Sequence, residues 1–213
     1  MARFRKTAIA AVALSALALT TTTVAYAHDL GLNRVAGEAS TASSMTWAYY
    51  SGDLTDIWAE KDVFEGARAT AMMVGVGDGS HFRVQLRGLG EKAIHEEYGA
   101  HLHSGPCGIT NPKDPTTATV GPHYNISPLN DLKKPTVVNK KTEVWLNFHV
   151  NSDRTARATA NVPFVPTPGP RSITFHALPT VHHQTEGGPA VGTAGDKLAC
   201  LPLDIKKFAG SNK

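Results

Sequence analysis

Beyond its amino-terminal leader, the chain has no apolar run approaching the roughly 20 residues that a membrane-spanning helix needs. It has no internal repeat, and past the leader no helical pattern longer than a turn or two, which argues against repeat arrays and helical bundles. It has no excess of charge either. The leader takes Arg3, Arg5 and Lys6 from the chain's 21 Lys+Arg and removes no acidic residue, leaving 18 against 18 Asp+Glu. A formally neutral chain gives no support for nucleic-acid binding. Cysteine is scarce: Cys107 and Cys200 are the only two, and neither stands where a lipid would be attached after cleavage.

The leader itself reads plainly. A short basic start is followed by the Ala-rich apolar run Thr7 to Leu19 and by the small-x-small site Ala25-Tyr26-Ala27, the three parts of a secretory signal peptide. Cleavage after Ala27 is expected to give a chain starting at His28, secreted or held in the periplasm or cell envelope, with no membrane attachment. A terminal amine and the His28 imidazole can chelate a metal, although signal peptidase has reason enough to cut there without one. In an oxidising compartment an even pair of cysteines is read as a disulfide, here Cys107–Cys200.

Four segments are expected: a signal peptide over 1–27; an extension over 28–66, flexible first and aromatic-rich from Trp47 to Trp58; a β-barrel domain over 67–205; and a polar tail over 206–213. The runs Ala67 to Val76 and Ser80 to Leu89 read as a hairpin turning at Gly77-Asp78-Gly79. In the second run Phe82, Val84 and Leu86 alternate with Arg83, Gln85 and Arg87, so one face is buried and the other wet. Glu143 to Val150 and Arg171 to Ala177 alternate in the same way. Long Pro/Gly-rich loops separate the strands, and loops of that length in a compact domain are usually functional. The expected fold class is all-β, a barrel or sandwich with long loops.

Nine histidines lie beyond His28. His101 and His103 are two apart on a strand, so both rings leave one face while Leu102 enters the other. His123 stands in a turn of the long loop, and His176 lies on the polar face of its strand. If Leu102, Ile173 and Phe175 face the core, then His101, His103 and His176 sit on the outside of the barrel under the loops. Imidazole is a common ligand for copper and zinc. By itself an H-x-H pair is weak evidence for a metal.

Four motifs raise that weight. Gly99-Ala100-His101-Leu102-His103, followed by Cys107, resembles the G-x-H-x-H segment of copper/zinc superoxide dismutases. Gly121-Pro122-His123-Tyr124-Asn125 resembles that family's G-P-H-[FY]-N. Arg171 to His176 resembles the strand bearing its fourth copper histidine, and Gly192 to Cys200 its G-N-A-G-x-R-L-A-C. Order and spacing agree from about Ala67 to Leu203. The resemblance implies a Greek-key, immunoglobulin-like barrel and copper held by His101, His103, His123 and His176. It matches His123 to the histidine that bridges copper to zinc, and Cys107 and Cys200 to the disulfide tying the metal loop to the barrel.

The chain departs from the family pattern in two places. Ile126 to Thr142 contains no histidine, whereas the family's zinc ligands follow G-P-H-[FY]-N closely. Asp131 falls where one zinc histidine is expected, Lys141 near the other, and Glu143 next to the aspartate position. A closed zinc site wants four ligands, so copper is the expected cofactor and zinc is not. Glu143 or Asp131 is expected to orient His123 in zinc's place. His149 and His182-His183 are available as replacement ligands but read more simply as surface residues, and His81 and His95 as ordinary strand and loop residues. The second departure is Lys197, standing where the family has an arginine that guides superoxide and holds it beside copper. Lysine keeps the charge but lacks the planar fork.

These features lead to an exported copper-dependent superoxide dismutase, with His123 and Lys197 as the residues acting on superoxide. The alternative is a copper-binding or storage protein on the same fold, which the lost zinc site and Lys197 both favour. A third reading makes the barrel an exported interaction domain. Monomer and dimer both remain open.

Overall fold

The computed structural model describes residues 45–58, 62–111, 113–127 and 136–208. The leader, His28, the small polar lead-in before residue 45, Asp131 and the end of the tail lie outside the described residues. Ten strands make up the regular structure: β1 Met45–Asp53, β2 Thr55–Asp56, β3 Arg68–Val76, β4 Gly79–Arg87, β5 Glu97–Tyr98, β6 Ala100–His103, β7 Phe148–His149, β8 Thr155–Val162, β9 Gly169–His176 and β10 Lys197–Phe208. Among the described residues, helix is limited to two short 3₁₀ turns, at Glu91–Ala93 and Pro115–Thr117.

The sheet is antiparallel throughout and runs β6-β9-β10-β1-β3-β4-β8, with β2 added to β10. It curls into a half-barrel. The irregular segment 143–150 spans the open side, bridging to β6 at His101↔Trp145 and to β8 at Val150↔Ala156. Period-two burial explains the curl's interior. Ala69, Ala71 and Met73 of β3, and Phe82, Val84 and Leu86 of β4, point inward against Leu102, Phe148, Ile173, Phe175 and Leu201. Gly77 turns the β3–β4 hairpin at φ +61°, the left-handed conformation that glycine adopts without steric cost.

The aromatic-rich stretch expected as an extension is part of the sheet. β1 pairs with β3 along its whole length, Met45↔Val76 to Asp53↔Arg68, and with the end of β10. A boundary at residue 67 therefore separates two strands that pair with each other, and at the other end β10 runs on past residue 205 to Phe208. Thr46 and Ala48 bury one side of β1, while Met45, Trp47 and Tyr49 on the other stay exposed. β10 also contains Pro202, which cannot donate to a ladder. Pro202 lies between the stretches of β10 paired with β2 and with β1, where β9 alone is a neighbour.

Cys107 and Cys200 are bonded, 93 residues apart. Cys200 is buried in β10 beside Ile57 and Val120. The bond thus fastens the loop after β6 to the middle of the sheet.

Candidate metal centre

β6 and β9 supply three of the four rings. Their register, His101↔Thr174, Leu102↔Ile173 and His103↔Ser172, sends Leu102 and Ile173 into the core and both histidines outward. His176 ends β9 on that same outer side, its N–H donating to Gly99 O at 2.9 Å. Outward here does not mean wet: His101 and His103 are 0% exposed and His176 3%. Gly121, Trp145, Thr180 and Gly195, from outside the main sheet, lie against them.

His123 arrives by loop pairing. The chain leaving β6 doubles back, so that His103 and His123 form an antiparallel bridge. Tyr124 N–H donates to Leu102 O at 2.8 Å and Gly105 N–H to Val120 O at 2.7 Å. Two glycines permit this close return. A Cβ on Gly105 would stand 2.2 Å from Thr119 O, and Gly121 takes φ +70°.

The four ligand nitrogens lie within 4.8 Å of one another. Their protonation follows from what the opposite nitrogens meet. His103 Nδ1 faces Gly121 O at 2.8 Å and His176 Nδ1 faces Gly195 O at 3.2 Å. A carbonyl only accepts, so both rings carry their proton on Nδ1 and leave Nε2 bare. Those two bare nitrogens face each other at 3.3 Å. His123 Nδ1 donates to Glu143 Oε2 at 3.0 Å, again freeing Nε2. His101 is turned the other way: Nε2 meets Thr180 Oγ1 at 2.8 Å, while Nδ1 is buried without a partner.

A buried nitrogen without a partner, and two lone pairs aimed at each other, are costly unless a cation lies among them. Burial, reinforced by the neighbouring rings, holds His101 far below the ordinary imidazole value. Burial likewise lowers His103 to about 2 and His176 to about 4, outweighing the carbonyl bonds that favour their charged forms. Near neutral pH all three are neutral, which is the form that binds metal. The residues therefore fit a metal ion with imidazole nitrogen donors. Such donors suit both copper and zinc.

Glu143, 4% exposed, anchors the His123 side. Its carboxylate accepts from His123 Nδ1, from Trp145 Nε1 at 2.9 Å and from Asn125 Nδ2 at 3.0 Å. Burial pushes this acid up, but the three bonds together outweigh it and hold it below the usual carboxylate range. Glu143, one of the two carboxylates proposed from sequence to orient His123, lies on it, while Asp131 falls outside the described residues.

Lys197 pairs with His176 across β9 and β10, beside a bulge. Its Nζ lies 3.4 Å from Gly121 O, and its charge contributes to lowering His103 and His176. With Trp58, Thr116, Gly195 and Asp196 it lines a pocket of about 410 Å³. The other described histidines stay outside the cluster. His149 is exposed near Glu97, His81 bonds Asn161, and His183 is exposed. His182 is exposed and reaches Asn147 Nδ2 at 3.3 Å.

Sequence reading did not single out Thr180, Trp145 and Asn147. Alternation had already put Trp145 and Asn147 on the polar side of their run, the side that meets the histidines. What was missing was the bridge His101↔Trp145, which joins residues far apart in the chain.

No family model and no curated protein matches the chain. It is similar to a solved structure described as a crystal structure analysis of the clock protein EA4. The two share 16% identity with a TM-score of 0.46, over 79% of this chain and 99% of that one. At that distance the likeness carries no argument. What the described residues establish is an all-β half-barrel, a Cys107–Cys200 disulfide tying the loop after β6 to the sheet, and a largely buried cluster of four histidines able to hold a metal ion.

Proposed function

We propose that the chain is an exported copper protein that dismutates superoxide at the four-histidine centre, without a zinc partner. The observation that carries this reading is the placement of Glu143 on His123 Nδ1 at 3.0 Å. A zinc ion bridged to copper would need that nitrogen. Here a carboxylate takes it, and Nε2 remains turned to the other three rings. Export is supported by the leader and by a disulfide that suits an oxidising compartment. No helix among the described residues is long and apolar enough to cross a membrane.

Bound copper supplies one-electron chemistry, oxidising one superoxide to oxygen and reducing a second, which takes two protons to become hydrogen peroxide. His101, His103, His123 and His176 would hold the ion through nitrogens lying within 4.8 Å of one another. The His123 side chain is 23% exposed, against near-complete burial of the other three rings. Glu143, on Nδ1, keeps that more open ring oriented with Nε2 toward the other three. Lys197 adds positive charge beside the cluster and draws the anion toward it.

A copper sink or carrier is the second reading. The observation favouring it is the contact of Lys197 Nζ with Gly121 O at 3.4 Å, which occupies a cation that superoxide would otherwise use. Superoxide removal by the copper-loaded protein separates the two. Dismutation predicts a rate constant approaching the diffusional ceiling of about 10⁸–10⁹ M⁻¹s⁻¹, insensitive to added zinc and lost in His103→Ala. Tight copper binding with activity no greater than free copper selects the sink.

A further inference from the structure

His101 is the odd ring of the cluster. The other three send Nδ1 outward to a carbonyl or carboxylate, which fixes their tautomers without ambiguity. The outward nitrogen of His101 is Nε2, and it meets a hydroxyl, Thr180 Oγ1, at 2.8 Å. A hydroxyl both donates and accepts, so this contact alone leaves the tautomer open.

The next bond resolves it. Thr180 Oγ1 also donates to Asn147 Oδ1, and an amide oxygen only accepts. Thr180 has one proton, committed to Asn147, so toward His101 it offers a lone pair. At its other end Asn147 Nδ2 lies 3.3 Å from His182 Nε2. Thr180 itself is buried and fixed. The loop segments flanking it are tied by Leu178 N–H to Ala194 O and Val181 N–H to Thr193 O, both at 2.9 Å. Gly99 leaves space for the hydroxyl, because a Cβ there would stand 2.8 Å from Thr180 Oγ1.

We infer that Thr180, backed by Asn147, is a positioning residue that holds His101 as the Nε2–H tautomer and so presents its bare Nδ1 to the cluster. The opposite tautomer has a pull of its own in the metal-free protein. It would point a proton toward the three other bare nitrogens, all within 4.8 Å. Thr180 is what opposes that arrangement. Its effect on metal holding rests on the copper reading above; the tautomer does not.

The test is a long-range ¹H–¹⁵N correlation spectrum of the histidine rings in the metal-free protein, which distinguishes protonated from bare nitrogens. The native chain and Thr180→Ser should show His101 protonated at Nε2 and bare at Nδ1. Thr180→Val, of the same shape but without the hydroxyl, should move the proton wholly or partly to Nδ1. Competition titration should then show copper affinity about 10–100-fold weaker in Thr180→Val, as for other groups that orient a metal ligand, and close to native in Thr180→Ser. A native His101 protonated at Nδ1, or a Thr180→Val spectrum unchanged from native, overturns the inference. Because the spectrum involves neither copper nor superoxide, a failure of the proposed activity leaves it standing or falling separately.

Discussion

Replacing Glu143 by glutamine tests the His123 side with little change of shape. The carboxylate accepts from His123 and Trp145 at Oε2 and from Asn125 at Oε1. An amide can keep its oxygen on His123 and Trp145 only by turning its NH₂ toward Asn125 Nδ2, also a donor. Asn125 cannot flip to oblige, since its Oδ1 accepts Ser127 N–H at 2.8 Å and its Nδ2 donates to Val137 O at 2.9 Å. Losing charge assistance costs about 1.5–3 kcal/mol and the opposed donors about 1–3 kcal/mol. These overlap, so the expected loss is about 3–4 kcal/mol. For a domain of this size that lowers Tm by roughly 6–16 °C, and the loosened His123 should weaken copper binding about 10–100-fold. Thermal unfolding of the metal-free protein and competitive copper titration read the two effects. If Glu143→Gln melts within a degree of native and binds copper equally well, the carboxylate does not organise the site.

Acid should unfold the metal-free protein early. The unfolded chain's histidines take protons near pH 6.5, whereas His176 holds off until about 4 and His103 until about 2, with His101 lower still. The unfolded state therefore binds more protons in this window, and stability falls with pH by up to about 4 kcal/mol per unit near pH 5 for three groups. Carried down to pH 4 this amounts to about 10 kcal/mol at most, comparable with a typical margin of about 5–15 kcal/mol. Urea melts at pH 7, 6 and 5 should show the slope, and copper loading should shift the transition to lower pH; a flat profile contradicts the burial argument. Removing the disulfide with Cys107→Ser and Cys200→Ser together should cost up to about 4–5 kcal/mol for a loop of this length and free the loop bearing His123, seen as lower Cm and weaker copper binding. Lys197→Gln should slow superoxide removal by about threefold to tenfold and flatten its dependence on salt, while Lys197→Arg should not slow it. Equal rates in Lys197→Gln would remove that residue from the account.

What could be read from the sequence was whatever repeats every second residue or carries a dense motif. The alternation of Phe82, Val84 and Leu86 located β4, and the spacing of His101 and His103 put both rings on one face. β8 escaped notice because its buried side is Ala156 and Ala158 with Val162, too weakly apolar to stand out against Arg157 and Asn161. β10 was obscured by Pro202, which is harmless only because of a gap in pairing that no local pattern reveals. The place of β1 between β10 and β3 is a matter of topology, since its partners are distant in the chain. At the centre, the rings could be named from sequence, but the groups that orient them could be named only in part. Glu143 could be proposed as a carboxylate near the expected position, whereas Thr180 reaches His101 from a distant loop and Asn147 only through Thr180.

The central claim is that His101, His103, His123 and His176 together hold one copper ion. Metal analysis with electron paramagnetic resonance of the copper-loaded chain, native and His103→Ala, tests it most directly. The account predicts one copper per native chain, with hyperfine structure from nitrogen ligands that is lost or reorganised in His103→Ala. An unchanged spectrum and full copper content in His103→Ala would place the metal elsewhere and contradict it.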